Sequence, residues 1–447
     1  MLSQSAIHSV WQVPEKRKAK KEKKKTLGEK SKGYTKFSGR KKTGIVIIGG
    51  GMTGISSAYF LSKEGYDVTL LEAHELAGGA TGMSSGAFTM GDGRHVQSLV
   101  KKYGTGHARK LMESNLYALT LLEETVKNEK IKCSLERTGS LSLASKPSHK
   151  KILEKECYIR KSLGFESSLL NLKDSKFHTG LFSEYCRTLN PVEFVKGLAK
   201  SAVKYGADIH EHSAVRHIYT LNDRAFIKTE FGELEAEKII IATDSQTCTL
   251  GMGHSIIPHS HSSVATEKLS KKIIESIFSQ GKPFLTDTYE FNDYFRLTPD
   301  NRIIIGSGNV FVGHTKNDSK EWHENEVNKQ KLHAWLQGIY KIFPQLSNVK
   351  IEYVWNITSG YTFNGLPVIG PDYVHRHLIH SYAYGEFGLP FAFLSGKLIT
   401  EYFKTGNDSV FEIFNAPHNK KSSMFSIHTK HSMLNTYFNY KRMIDRL

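Results

Sequence analysis
The sequence is poor in cysteine. Cys133, Cys157, Cys186 and Cys248 are the four thiols in 447 residues, and no two form a C-x-x-C pair. So sparse a set excludes a disulfide framework and points to a reducing compartment. A long uninterrupted apolar run is also missing. The longest apolar-looking stretch, 44–61, carries Gly49, Gly50, Gly51 and Gly54 in a tight cluster. A strand, a turn and a helix account for that better than a membrane span does. No secretory signal is recognisable: the first 14 residues are polar and mixed, and the next 28 are basic. A cytoplasmic location is therefore expected. No internal repeat is visible, and no catalytic triad.

What is present is ordinary in bulk. With 39% hydrophobic and 23% charged residues, the chain reads as globular. A prior of roughly 150 residues per domain suggests about two or three domains. The net charge of +17 is concentrated, because residues 15–42 hold fourteen Lys/Arg against three Glu, which is +11. The basic balance thus belongs mostly to residues 1–42, expected to be a disordered arm. Its run KRKAKKEKKK suits a solubilising tail, a nucleic-acid or nuclear-import contact, or an anionic membrane contact. Trp11 and Val13 are the residues able to pin the extreme N-terminus to the body.

Order is expected from Thr43. GIVIIG is a β-branched run suited to a central parallel strand, MTGISSAYFLSKEG reads as a helix, and YDVTLLEA reads as a second strand. The three make a βαβ unit. Met112, Leu116, Leu119, Leu122 and Val126 line one face of a helix within 95–130. Asn190-Pro191 is a helix start, running to Gly206. Strands are expected near 207–210, 214–220, 224–229 and 237–242, and a helix around 322–342.

Gly49-Gly50-Gly51-Met52-Thr53-Gly54 fits G-x-G-x-x-G in the context that gives the motif meaning, after a strand and opening a helix. Gly49 permits the turn, Gly51 lets a pyrophosphate approach the backbone, and Gly54 lets the helix pack on the strand. Met52 and Thr53 then sit where free N–H groups meet phosphate. Glu72, 23 residues after Gly49, ends the second strand and suits the adenosine ribose hydroxyls. A carboxylate there disfavours a 2′-phosphate, so NADP is not expected.

The fingerprint alone leaves NAD and FAD open. The segment AGGATGMSSG, 77–86, follows directly on Glu72. Read alone it is a flexible loop of small and hydroxyl residues. Placed after the ribose carboxylate, it lets backbone approach a second part of a longer cofactor. Ala80, Thr81, Ser84 and Ser85 are its candidate contacts, and FAD is the cofactor it favours.

These segments resemble the D-amino-acid oxidase-like family of FAD oxidoreductases over nearly all of residues 43–415. Beyond the two loops, the resemblance rests on LNPVEFVKGLAKSAVKYGADIHEHSAV, EKIIIATDS, FRLTPDNRIIIGSG, GLPVIGP and YGEFGLP followed by SGKL. KKYGTGHARKL, RLTPDNR and FPQLSNVKIEYVW are most similar to the γ-glutamylputrescine oxidases within it. The family implies an α/β fold: a Rossmann-like FAD-binding domain interleaved with an α+β substrate domain built on a large mixed sheet. On this chain the FAD-binding domain would comprise 43–95, 187–250 and 352–415, and the substrate domain 96–186 and 251–351. Residues 416–447 would be a C-terminal extension. The resemblance adds Val215, Ala242, Thr243, Gly385, Gly388 and Leu389 to the FAD contacts.

The chain departs from the family at four places. Asp244 stands where A-T-G has glycine, and Ala383 to Gly388 is less regular than G-x-x-G-x-G. Ser359 stands near the position of a carboxylate-binding Arg, and Met83-Ser84 replaces Arg-Asn or Arg-Ser. The implied reaction is oxidation of a primary or secondary amine or amino acid by hydride transfer to flavin N5. Imine hydrolysis follows, and oxygen reoxidises the flavin to give hydrogen peroxide; an electron carrier is the other acceptor to consider. No side chain is singled out as catalytic. Tyr294, Arg296 and Tyr361 are candidate substrate contacts. FAD is expected to be non-covalent, with no Cys or His in the second flavin loop. His254, His259 and His261 are spaced irregularly without nearby Cys or acid, which argues for a loop near the substrate entrance and against a metal site. The competing reading is a catalytically silent FAD-fold protein whose basic arm binds nucleic acid or an acidic partner.

Overall fold
The computed structural model describes residues 9–12, 33–90, 96–144, 146–172, 177, 179–221, 223–252, 256–278, 281–288, 293–307, 329–362, 364–385 and 388–414. The run KRKAKKEKKK, Val13, His254 and the extension 416–447 lie outside them, as does the first part of the helix expected around 322–342.

The fold is a mixed α/β architecture around two eight-stranded sheets. The first has the strand order Val368–Pro371, Leu378–Tyr382, Gly232–Ile241, Gly39–Ile48, Val68–Leu71, Asp208–His210. The hairpin of Val215–Leu221 and Arg224–Thr229 attaches to Gly232–Ile241. Gly39–Ile48 lies between two parallel neighbours, with Ile47 opposite Leu70 on one side and Ile240 on the other. Being covered on both faces, it needs a continuous apolar run, and Val46 and Ile47 are fully buried.

The helices Met52–Lys63, Pro191–Lys204 and Gly388–Thr405 pack together on this sheet. Asn190 caps the second of them by accepting from the backbone N–H groups of Val192 and Glu193. Gly396 lets Gly388–Thr405 sit against Met52–Lys63, because a Cβ there would lie 2.4 Å from the Ser56 carbonyl carbon.

The second sheet has the order Ile351–Tyr361, Ile257–Thr266, Ile303–Ser307, Asp293–Leu297, Phe284–Asp287, Ser140–Leu143, Thr179–Ser183, Ser168–Asn171. Only Phe284–Asp287 and Ser140–Leu143 pair in parallel. This is the large mixed sheet expected for the second lobe.

Three expectations need correction. Residues 33–42 are not a loose arm: Gly39–Lys42 extends the central strand opposite Gly232–Glu235, and Phe37 is buried. Tyr34 and Phe37 each pack against a core cluster, which the lysines hide in a composition count. Residues 351–361 pair with Ile257–Thr266, which groups the start of the 352–415 segment with the second sheet. His259 and His261 lie on the strand Ile257–Thr266, not in a loop. His261 lines the cavity from that strand, which is polar without a break from His259 to Ser263.

Candidate functional site
A single cavity of about 1120 Å³ runs between the two sheets. That is above the roughly 300–1,000 Å³ of ordinary small-molecule pockets. Its wall at one end is the βαβ turn. Gly49 has φ +109°, and a Cβ there would lie 2.5 Å from the Ala242 carbonyl oxygen. A Cβ on Gly54 would lie 1.8 Å from the Gly49 carbonyl oxygen, so Gly54 is fixed by helix–strand packing and is absent from the wall. Gly51, Met52 and Thr53 do line it. The helix they open has no acidic residue in its first turn, which leaves its positive end free for an anion.

Glu72 reaches back to this turn. Its carboxylate accepts from the Gly50 N–H at 2.6 Å and from the His74 N–H at 2.8 Å. Burial pushes its pKa up, against those hydrogen bonds. The second loop locks onto the first through Thr81, whose hydroxyl accepts from the Met52 N–H at 3.0 Å, and through the Ala77 N–H, which donates to the Gly50 carbonyl at 3.0 Å. Ala80, Thr81, Ser84 and Ser85 all line the cavity. So do Val215, Ala242 and Thr243 from the first sheet, and Gly385, Gly388 and Leu389 from the C-terminal segment. Every expected cofactor contact except Gly54 therefore faces one space.

Asp244 also lines this space, at φ +46°. Its carboxylate accepts from the backbone N–H groups of Gly360 and Ala383. It thereby joins the end of the second sheet to the irregular last loop.

The far end is walled by the second sheet. Ser140, Ser142, Phe284, Thr286 and Tyr294 share one face, in register across three strands. The hydroxyls of Ser142 and Thr286 are hydrogen-bonded at 3.0 Å, and those of Tyr294 and Ser263 at 2.9 Å. Burial pushes the Tyr294 phenol up to about 12. Tyr361 lines the cavity beside Gly385, with its ring 5.3 Å from that of His259. Arg296 does not line it. Its guanidinium donates to the Ser85 carbonyl and lies 4.6 Å from the Trp11 ring, behind the second loop.

His261, expected near the substrate entrance, faces the cavity from its strand, and burial pushes its imidazole down to about 4. Two further wall residues, Asp287 and Arg160, were not singled out in the sequence. Asp287 is a buried carboxylate on the wall. Arg160 reaches the rim with its Nε donating to Glu156, whose carboxylate also accepts from the Val96 and Gln97 N–H groups. Nothing in the local pattern of the helix His149–Ser162 separates Arg160 from the surrounding lysines. Among the described residues there is no cluster of three His, Cys, Asp or Glu placed to hold a metal ion. Nor is any described helix long and apolar enough to cross a membrane.

The cavity suits an extended dinucleotide-type cofactor: glycines at the points of closest approach, an anion-ready helix end, and a carboxylate at the ribose position. A model of the FAD dependent oxidoreductase family matches residues 44–402. The chain is 27% identical over 389 residues to γ-glutamylputrescine oxidoreductase of Escherichia coli, covering 84% of this chain and 86% of that protein. It is 26% identical over 384 residues to the probable oxidoreductase OrdL of Haemophilus influenzae, covering 83% and 84%. The fold superposes on glycine oxidase from Geobacillus kaustophilus with a TM-score of 0.68 at 18% identity, covering 85% of this chain and 99% of that one.

Proposed function
Since the chain belongs to the DAO family of FAD-dependent oxidoreductases, with FAD as its cofactor, we propose that it oxidises a primary or secondary amine or an amino acid. One observation carries this reading: the cofactor wall and the hydroxyl-lined face of the second sheet enclose a single continuous cavity. A substrate on that face would meet the cofactor without crossing solvent.

Gly49, Gly51, Met52, Thr53 and the second loop would hold the pyrophosphate side, Glu72 the ribose, and Val215 the adenine side. Thr243, Gly385, Gly388 and Leu389 would hold the flavin side. FAD bound there supplies the acceptor for a hydride equivalent from the carbon bearing the amine, and hands the electrons on to oxygen or to a carrier. The first turn of Gly388–Thr405 lies on the wall and holds no described acidic residue, so its dipole favours negative charge nearby. His261, held neutral, adds no positive charge to repel a cationic substrate.

For the substrate, Tyr294 and Tyr361 are the proposed contacts among the original candidates. Ser359 on the wall offers a hydroxyl near the position where the family resemblance implies an Arg in many amino-acid-oxidising members, which favours an amine, or a carboxylate held elsewhere. The relative named for γ-glutamylputrescine supports the amine. A cytoplasmic site of action completes the proposal.

The test is a panel of polyamines, N-methyl amino acids and D-amino acids supplied in air to the FAD-loaded protein. Stoichiometric hydrogen peroxide and aldehyde or keto product support an oxidase. Product without peroxide, obtained only with an added artificial acceptor, makes it a dehydrogenase. No product with any amine under either condition overturns the proposal.

A further inference from the structure
Residues 9–12 are far from the cofactor loops in sequence, yet they are docked on the second one. Ser9 is fully buried, and its hydroxyl donates to the Gly82 carbonyl. The Gln12 amide donates to the carbonyls of Ala77 and Gly78, at 3.3 and 3.2 Å. The Trp11 indole N–H donates to the Ser84 carbonyl at 3.0 Å. These acceptors run along the whole loop, from before the helix Ala80–Met83 to just after it. A helix of four residues closes too few of its own hydrogen bonds to hold its shape. Within it the Gly82 carbonyl accepts from Ser9 and the Met83 carbonyl from the Trp355 indole, while the flanking carbonyls of Ala77, Gly78 and Ser84 accept from Gln12 and Trp11.

The same segment reaches the other lobe. Val10 and Trp11 pack with Met83, Trp355 and Ile357. The Trp11 ring covers the guanidinium of Arg296, 4.6 Å from its centroid. Arg296 is buried, its Nε has no hydrogen-bond partner among the described residues, and burial pushes its pKa down to about 10. One of its Nη groups donates to the Ser85 carbonyl. Gly86 makes room for it: a Cβ there would lie 2.3 Å from the Arg296 Nη1. A cation so buried gains from an aromatic face, and the indole supplies it.

We propose that Ser9–Gln12 is an intramolecular clip on the FAD site, with Trp11 a positioning residue. Trp11 holds Ser84 directly and Ser85 through Arg296, and both serines line the cofactor cavity. FAD retention therefore depends on the N-terminus. The proposal rests on FAD as cofactor and is independent of which amine, if any, is oxidised.

The test reads FAD binding, not turnover, in the full-length protein. The dissociation constant for FAD is measured by flavin fluorescence for Trp11→Ala and Trp11→Phe. Melting temperatures are recorded with and without FAD. Losing the indole hydrogen bond and the aromatic face weakens FAD binding roughly tenfold or more in Trp11→Ala. Trp11→Phe keeps the face and loses less. The melting temperature falls mainly in the FAD-loaded protein. Should Trp11→Ala not fold, Gln12→Ala, which removes only the contacts to Ala77 and Gly78, is measured in the same way. An unchanged FAD affinity overturns the proposal. An equal fall in melting temperature with and without FAD also overturns it, by making the segment a prop of the whole fold.

Discussion

The Asp244 carboxylate accepts a hydrogen bond from the Ala383 N–H at 2.9 Å, while its second oxygen accepts one from Gly360, also at 2.9 Å. Ser245 and Tyr384 add backbone hydrogen bonds to the same group. Two departures from the family pattern are thus one arrangement. Asp244 occupies a glycine position with φ +46°, and Ala383, in the irregular last loop, has φ +61°. Both conformations are uncommon for residues with a side chain. The carboxylate between them ties the last loop to the end of the second sheet.

Asp244→Asn keeps one acceptor and turns an NH₂ toward a backbone N–H. Leaving a buried donor unpaired costs about 1–3 kcal/mol, so a loss of that order is expected in urea unfolding. Asp244→Gly suits the positive φ but removes both acceptors, and an equal or larger loss is expected. A glycine variant more stable than the parent would show that the carboxylate holds nothing.

Gly51→Ala and Gly54→Ala separate cofactor approach from packing. A Cβ on Gly51 meets only the Thr81 hydroxyl, at 3.2 Å, whereas one on Gly54 lies 1.8 Å from the Gly49 carbonyl oxygen. Gly51→Ala should leave the FAD-free melting temperature within a few degrees and weaken FAD binding. Gly54→Ala should lower the FAD-free melting temperature itself, since overpacking costs roughly 1–3 kcal/mol. Calorimetry with and without FAD distinguishes the two.

The near end of the site was legible because its requirements are local. A tight turn, a close backbone approach and a helix start each demand particular residues at particular spacings, and Gly49, Gly51, Thr81 and Glu72 answer to them within one stretch of chain. The far end is assembled across strands distant in sequence. Tyr294 and Arg296 share a strand face by alternation, yet only Tyr294 lines the cavity, because Arg296 is taken up by Ser85 and Trp11. No local pattern announces that a tryptophan near the N-terminus will cover that arginine. His259 and His261, expected in a loop from their irregular spacing, lie on a strand that the polar run His259 to Ser263 deprives of the apolar alternation that identifies strands. Asp244 was visible as a departure, but its partners at Gly360 and Ala383 were not.

His261 carries a pH signature. Its folded value, about 4, lies below the ordinary value of 6.5, because burial disfavours the charged imidazolium. The unfolded chain therefore binds more protons between those values, and stability falls as pH drops from about 6.5 toward 4. Asp244 and Glu72 run the other way. Burial raises their folded values, so their contribution declines as pH rises from the ordinary carboxylate range through those raised values. Between pH 7 and pH 5, urea unfolding should show His261→Gln losing less stability in acid than the parent. Equal losses in the two would mean that His261 titrates normally in the fold.

The central claim is that the FAD held in this cavity is reduced by an amine bound against the second sheet. Anaerobic mixing of the FAD-loaded protein with the amine panel, followed at the visible flavin bands, tests it directly. The account predicts that at least one amine or amino acid bleaches the flavin within the mixing series, and that Tyr294→Phe or Tyr361→Phe slows the bleaching without releasing FAD. A flavin that binds tightly, is reduced by dithionite and stays oxidised with every amine would contradict it, and would leave an FAD-fold protein that does not turn over.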